Sequence, residues 1–248
     1  MLLVGITGAI GHGKTSFAAS LQKAEPSTLT LESGTIITSI VERWLHGLDT
    51  APPAPIDIAA INTWVAELPS IFKQQMHLDI HKTALTFTLE DTVQNPEQYQ
   101  KLFEYLALFQ TRPELSKQRI TPLNKAQYRP ILQWVGGYML DKVSPTIWFD
   151  EIIRLAEQAR LDNTRLCIAS GLRNPSEADQ IRRAGGMVIK VHRTLFAEQD
   201  LLDPTERQRS DITPDAMVHN NGTLAELDSM ATILLQDLQT KNLRGQYP

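Results

Sequence analysis

Apolar residues fall along this chain in two regimes. Near the start and in the last third they come as short unbroken runs, such as Leu2-Leu3-Val4-Gly5-Ile6, Leu166-Cys167-Ile168-Ala169 and Met187-Val188-Ile189. Runs of this length between turn formers read as strands buried on both faces. Thr28–Leu31, 165–170, 186–192 and 216–219 are therefore expected strands, in addition to the first run. In the middle, apolar residues recur at helical spacing: Ile36, Ile37, Ile40, Val41 and Trp44 form one stripe, and Tyr99, Leu102, Phe103, Leu106 and Phe109 another. Helices are expected from Ser16 to Leu21 and over 35–47. From Ile56 to about Gln110 the pattern predicts helices and no strand.

Punctuation agrees with the periodicity. Thr50-Ala-Pro-Pro-Ala-Pro55 breaks the helical pattern and marks a surface loop. Asn95-Pro96, Thr121-Pro122 and Ser144-Pro145 are helix starts, the second helix running through Lys142 and the third to about Arg160. Asn174-Pro175-Ser176-Glu177, Asp203-Pro204-Thr205-Glu206 and Thr223-Leu224-Ala225-Glu226 carry glutamate at the third helical position. That gives Glu177, Glu206 and Glu226 a structural reading as capping residues. Strands alternating with helices predict an α/β fold of three layers, α/β/α, with a mostly parallel sheet and a large all-helical insertion. The division by composition is a core of 1–49 and 161–248, with 50–160 inserted at its ligand edge as an acceptor-binding and lid region.

Composition adds bounds. With 248 residues, 42% hydrophobic and 21% charged, the chain has the make-up of a globular domain. Its net charge of −4 argues against a nucleic-acid partner. A single cysteine, Cys167, forbids an internal disulfide, and its apolar neighbours predict a buried strand position. No apolar run reaches membrane-span length, and the opening residues are too short and uncharged for a signal peptide. A cytoplasmic protein without a membrane partner is expected.

Chemistry enters at Gly8-Ala9-Ile10-Gly11-His12-Gly13-Lys14-Thr15, which is G-x-x-x-x-G-K-[ST] without mismatch between a strand and a helix. Glycines let amides curl around a phosphate, and the helix N-terminus adds a positive dipole end. The stretch from Gly8 to Ser16 is therefore expected to cradle a triphosphate, giving a P-loop NTPase core. Lys14 would reach the β- and γ-phosphates, and the Thr15 hydroxyl would ligate Mg²⁺.

Further candidates follow other expected strands. Glu32 could hold Mg²⁺-bound water, accept from a ribose, or cap the next helix. Arg173 could clamp a second phosphate. Arg193, with Arg207 and Arg209 beyond it, could cover a moving phosphoryl group, for which one arginine suffices. Asn220-Asn221-Gly222-Thr223 is a turn that could also offer amide groups to an adenine edge. GTPase chemistry lacks support, since Asn124-Lys125-Ala126-Gln127 fails N-K-x-D at its fourth place. An ATP-driven motor lacks its strand of four apolar residues followed by Asp.

Three segments in order resemble the deoxynucleoside monophosphate kinases, with a weaker likeness to dephospho-coenzyme A kinases. They are the glycine loop; Tyr128–Gly137 with Ser144–Phe149; and Gly171–Ala178, Gly185–Arg193 and Thr205 to Thr223. About 35–125 is unmatched. The resemblance implies transfer of the γ-phosphoryl of ATP, with Mg²⁺, to a nucleoside monophosphate or similar small nucleotide. By position it implies Lys14, Arg173 and Arg193 as catalytic residues, the last acting from a lid. It implies Thr15 at the metal, where Glu32 is a further candidate from its place after the second strand, and Asn220, Asn221 and Gly222 beside adenine. Glu32, Gln133, Trp148 and Arg173 would serve the acceptor, and a homodimer is left open. One departure stands out: Gly171 occupies the place of a family Asp. Glu32 or Asp150 could supply that acid, or the chain could be a sensor that holds ATP without turnover.

Overall fold

The computed structural model describes residues 1–47, 57–81, 85–94, 96–194 and 211–243. The expected loop at Thr50–Pro55, Asn95, the helix start at Asp203–Glu206, Arg207 and Arg209 lie outside the described residues. In chain order the elements are β1 (Leu2–Thr7), α1 (Lys14–Ala24), β2 (Thr28–Leu31), α2 (Ser33–His46), α3 (Ile58–Val65) and α4 (Leu68–Met76). Next come α5 (Leu89–Gln94), α6 (Pro96–Thr111), α7 (Arg129–Lys142) and α8 (Ile147–Leu161). The chain then returns to strands, with β3 (Leu166–Ser170), α9 (Pro175–Arg183), β4 (Met187–His192), β5 (Ala216–His219) and α10 (Leu224–Leu243). They form two compact units, Met1–Ser33 with Phe149–Pro248, and Gly34–Trp148.

The first unit is built on a five-stranded sheet of order β2-β3-β1-β4-β5. Every pairing in it is parallel. The unbroken apolar runs explain this: residues of both parities are buried, as a sheet covered on both faces requires. Val4, Ile6, Ile168, Ile189 and Val191 pack with Phe17 and Leu21 of α1 and with Leu227, Ala231 and Leu235 of α10. Each large side chain buried in this way contributes about 1.5–3 kcal/mol. α9 packs against β1 and β4. A Cβ at Gly5 would meet Leu172 and Ile181 at 3.0 and 3.1 Å, so the absence of one lets Ile181 of α9 close on the strand. The arrangement is compatible with three α/β/α layers.

The second unit is helical, with no strand among its described residues. Its core gathers Trp44, Trp64, Phe87, Phe109, Trp134 and Tyr138. Trp134 and Tyr138 stack at 4.7 Å, and Phe87 and Tyr138 at 5.1 Å. Trp44 Nε1 donates to the Trp64 carbonyl at 2.9 Å. Helix α2, which composition groups with the sheet, instead gives its stripe of Ile40, Val41, Trp44 and Leu45 to this core. The division of the chain accordingly falls at 33/34 and 148/149, against 49/50 and 160/161 by composition.

One expected helix start is displaced. The helix expected from Thr121-Pro122 begins at Arg129. A helix running from Pro122 to Lys142 would hold Pro130 in its interior, where the ring removes a donor and clashes with the preceding turn. Pro130 instead sits in the first turn of α7. Thr121 to Asn124 close a separate turn, in which Asn124 Oδ1 accepts from the Thr121 N–H at 2.7 Å and Nδ2 donates to the Arg119 carbonyl at 2.9 Å. No helix among the described residues is long and apolar enough to cross a membrane.

Two measurements probe these units separately. Burial pushes the Cys167 thiol up to about 12. Native protein at pH 8 is therefore expected to leave Ellman's reagent unreacted, and one thiol equivalent should appear on unfolding. In the helical unit, Asp91 Oδ1 accepts from Lys142 Nζ at 2.6 Å, and Oδ2 accepts from the Thr88 N–H and hydroxyl, both at 2.8 Å. These bonds, that from Lys142 first, hold the carboxyl below the usual carboxylate range. A lowered folded value means stability that is present above the unfolded value, about 3.9, and lost as pH falls through the folded one. Asp91→Asn should therefore melt a few degrees below wild type at pH 7, and the gap should close below about pH 4 in thermal melts.

Candidate functional site

Because every strand pairing is parallel, the C-terminal ends of all five strands lie on one edge of the sheet. Open α/β sheets bind ligands at this edge. The chain leaving β1 carries the glycine loop; Glu32 follows β2, Gly171 follows β3, Arg193 follows β4 and Asn220 follows β5. The topology thus brings to one edge residues that lie far apart in sequence.

The glycine loop is shaped by three left-handed residues, Gly8 (φ 145°), Gly11 (φ 81°) and Gly13 (φ 93°). At Gly8 a Cβ would stand 2.3 Å from the Val191 carbonyl oxygen, so only glycine fits. Gly13 is the N-cap of α1, which has no side-chain cap and no acidic residue in its first turn. The first amides of that helix are therefore not neutralised by a carboxylate. Lys14 Nζ donates to the carbonyls of Gly8 at 2.7 Å and Ala9 at 2.9 Å, folding its ammonium over the loop. Ile10 is 72% exposed at the tip, and Gly11 and Thr15 are exposed. Ala9 and Ser16 are half-buried.

His12 turns inward and is 1% exposed, so it offers the loop its backbone rather than its ring. Its Nδ1 accepts from the Arg193 N–H at 3.3 Å. Its ring meets His192 edge-on at 5.2 Å, and His192 meets His219 in the same way at 6.0 Å. Asn220, 7% exposed, donates from Nδ2 to the His12 carbonyl at 3.0 Å. Its own carbonyl accepts from Arg193 Nε at 3.0 Å, and its N–H donates to the His192 carbonyl at 2.8 Å. Asn221 Oδ1 accepts from the Thr194 N–H at 2.8 Å. A Cβ at Gly222 would lie 2.0 Å from Glu226 Oε2. That carboxylate in turn accepts from the Thr223 N–H at 2.6 Å in the cap of α10. Asn220 Nδ2 and Asn221 Oδ1, two of the side-chain atoms in the turn expected beside an adenine, are thus engaged within the protein. No local pattern in the sequence signals the bond from Asn220 to His12, since 208 residues separate the two.

At the exit of β3, Gly171 has φ 84° and its N–H donates to the Ile6 carbonyl at 3.0 Å. A Cβ there would lie 3.5 Å from Glu32 Oε1. Glu32 is exposed, as is Arg173. The Arg173 N–H donates to Glu177 Oε2 at 2.5 Å, and Glu177 and Asn174 form the expected capping box of α9. Burial raises the Glu177 carboxyl above its ordinary value, against the opposing effect of these N–H donors and the Arg173 charge. Asp150, on the first turn of α8, accepts from Gln180 Nε2 at 3.2 Å.

Gln133 and Trp148 belong to the helical unit. Gln133 is exposed on α7. Trp148 is 5% exposed, with its Nε1 donating to the Gly136 carbonyl at 2.9 Å and its ring 5.9 Å from Phe72. No group of three or more His, Cys, Asp or Glu residues that could hold a metal occurs among the described residues. The oxygen donors at the sheet edge, the Thr15 hydroxyl and the Glu32 carboxylate, are hard ligands of the kind Mg²⁺ takes when phosphates complete its shell. Compared with protein-family models and with the curated proteins, the chain matches none.

The close approach at Gly8 has a measurable consequence. Gly8→Ala meets both the Val191 carbonyl and a left-handed φ, and should destabilise the protein by at least about 2 kcal/mol. Gly34→Ala, in α2 with no atom within 4 Å of its Cβ, should be neutral or stabilising by up to about 1 kcal/mol. Urea unfolding followed by circular dichroism compares the pair.

Proposed function

We propose that this chain is an ATP- and Mg²⁺-dependent phosphotransferase acting on a nucleoside monophosphate or a similar small nucleotide. The observation that carries the reading is the glycine loop. Three left-handed glycines, an uncapped helix N-terminus and an ammonium folded over the loop suit it to a polyphosphate. Arginines 173 and 193 sit on the strand exits of the same edge, where mobile cations can offset the charge of a moving phosphoryl group.

In the proposed reaction an acceptor phosphate oxygen attacks the γ-phosphorus in line. The bond from that phosphorus to the β,γ-bridging oxygen breaks, and ADP leaves with the electron pair. Lys14 exchanges the Gly8 and Ala9 carbonyls for phosphate oxygens, a change of rotamer alone. Thr15 would hold Mg²⁺, with Glu32, which follows β2 on the same sheet edge, as the carboxylate candidate; when bound, the ion neutralises charge on the β- and γ-phosphates.

Gly171 favours a second reading, an ATP-holding regulatory module without turnover, because no side-chain acid stands at that position. One experiment separates the two. Protein is mixed with Mg·ATP and a panel of deoxy- and ribonucleoside monophosphates and dephospho-coenzyme A, and ADP is measured. The proposal expects acceptor-dependent ADP, with kcat/KM falling at least about a hundredfold in Lys14→Ala. Lys14-dependent ATP binding without acceptor-dependent ADP would establish the regulatory reading instead.

A further inference from the structure

We propose that Asn220 is a positioning residue that ties the glycine loop to Arg193, so that seating a polyphosphate and placing this arginine are coupled. The inference rests on the triphosphate reading given above. Its structural basis is a closed ring of three residues from three strand exits. Asn220 Nδ2 donates to the His12 carbonyl, Arg193 Nε donates to the Asn220 carbonyl, and the Arg193 N–H donates to His12 Nδ1. Asn220 holds the centre of the ring and is itself buried. The carboxamide fills the space beside Gly13, where a Cβ would stand 2.1 Å from Nδ2.

Peptide geometry says what the bond does. The carbonyl of His12 and the N–H of Gly13 share one planar trans peptide and point in opposite directions. By holding the His12 carbonyl inward, Asn220 aims the Gly13 N–H away from itself, toward the open side of the loop. Without that bond the peptide can rotate, and the loop loses a donor for an anion. The same residue's backbone carbonyl holds the Arg193 side chain, so a shift of Asn220 moves the loop and the arginine together. Reading a base with the Nδ2 proton that holds His12 would require it to release a buried carbonyl, which is unfavourable.

The test uses the full chain and three probes with Mg²⁺: ATP, GTP and inorganic tripolyphosphate, titrated calorimetrically against wild type, Asn220→Ala, Asn220→Ser and Arg193→Ala. A phosphate-loop strut predicts that both Asn220 variants weaken all three probes by a similar factor, about tenfold. The loss in the Asn220→Ala/Arg193→Ala double variant should be smaller than the product of the single losses, because both break one ring. Hydrogen exchange on the ligand-free proteins supplies a second readout. Amides of 12–15 and 193–194 should exchange faster together in Asn220→Ala, while strands β2 and β3 keep their protection.

A loss confined to ATP and GTP would overturn the proposal in favour of a base contact. Unchanged affinity for all three probes, or strictly multiplicative losses, would also overturn it. If wild type binds none of the probes, the triphosphate reading fails, and the exchange experiment decides the strut by itself. Unchanged protection of both stretches in Asn220→Ala then refutes it.

Discussion

The chain leaves the central strand through a gap too narrow for a Cβ atom. β1 is paired on both sides, so its exit must pass the carbonyl of Val191 on β4, and Gly8 makes that passage. The neighbouring exit is fastened to the same strand end. Gly171 and Leu172 both donate to the Ile6 carbonyl, and Thr7 Oγ1 donates to the Leu172 carbonyl at 3.2 Å. The register of the sheet therefore dictates where the loop begins and where the residues after β3 lie. A sheet slipped by one residue would move each of these contacts to the other face.

The backbone that follows from this constraint also sets the electrostatics. Left-handed glycines at 8, 11 and 13 shape the loop, and the first turn of α1 carries no acid to neutralise its amides. Lys14 Nζ is held by the loop's own carbonyls, which keeps its charge beside those amides. Gly171 fits the same logic. With φ 84°, this position is strained for any residue with a Cβ, and such an atom would stand 3.5 Å from the Glu32 carboxylate oxygen. The glycine there suits the backbone of this chain, and the carboxylate beside it belongs to Glu32, which follows β2.

Much of the architecture could be read from the chain because it is written locally. Short apolar or β-prone runs bounded by turns mark all five strands of the sheet, and paired Asn/Glu and Thr/Glu spacings mark the starts of α9 and α10. The helix start at Thr121 was misplaced by competition between two prolines, which local signals rank equally. Only Pro130's place inside the longer helix decides between them. At the sheet edge, the glycine spacing exposed the loop but not what supports it. Asn220-Asn221-Gly222 reads as a turn in isolation, and its fastening to His12 and Arg193 depends on three strands meeting. The resemblance places Trp148 near an acceptor, and the bond from its indole Nε1 to the Gly136 carbonyl is likewise not signalled by any local pattern.

The helical unit shows how the same residue types divide between packing and chemistry. Its tryptophans and tyrosines stack on one another in the core, and burial raises the Tyr105 and Tyr138 hydroxyls above their ordinary range. Groups so placed exchange protons poorly near neutral pH, and moving them to greet a ligand would open the core. On α7, Trp134 and Tyr138 are committed in this way, while Gln133, the residue just before Trp134, is exposed. A helix that buries one face can carry recognition only on the other. If this unit contributes to an acceptor site, the contribution runs through exposed polar residues such as Gln133, and the aromatic core serves to keep their helix rigid.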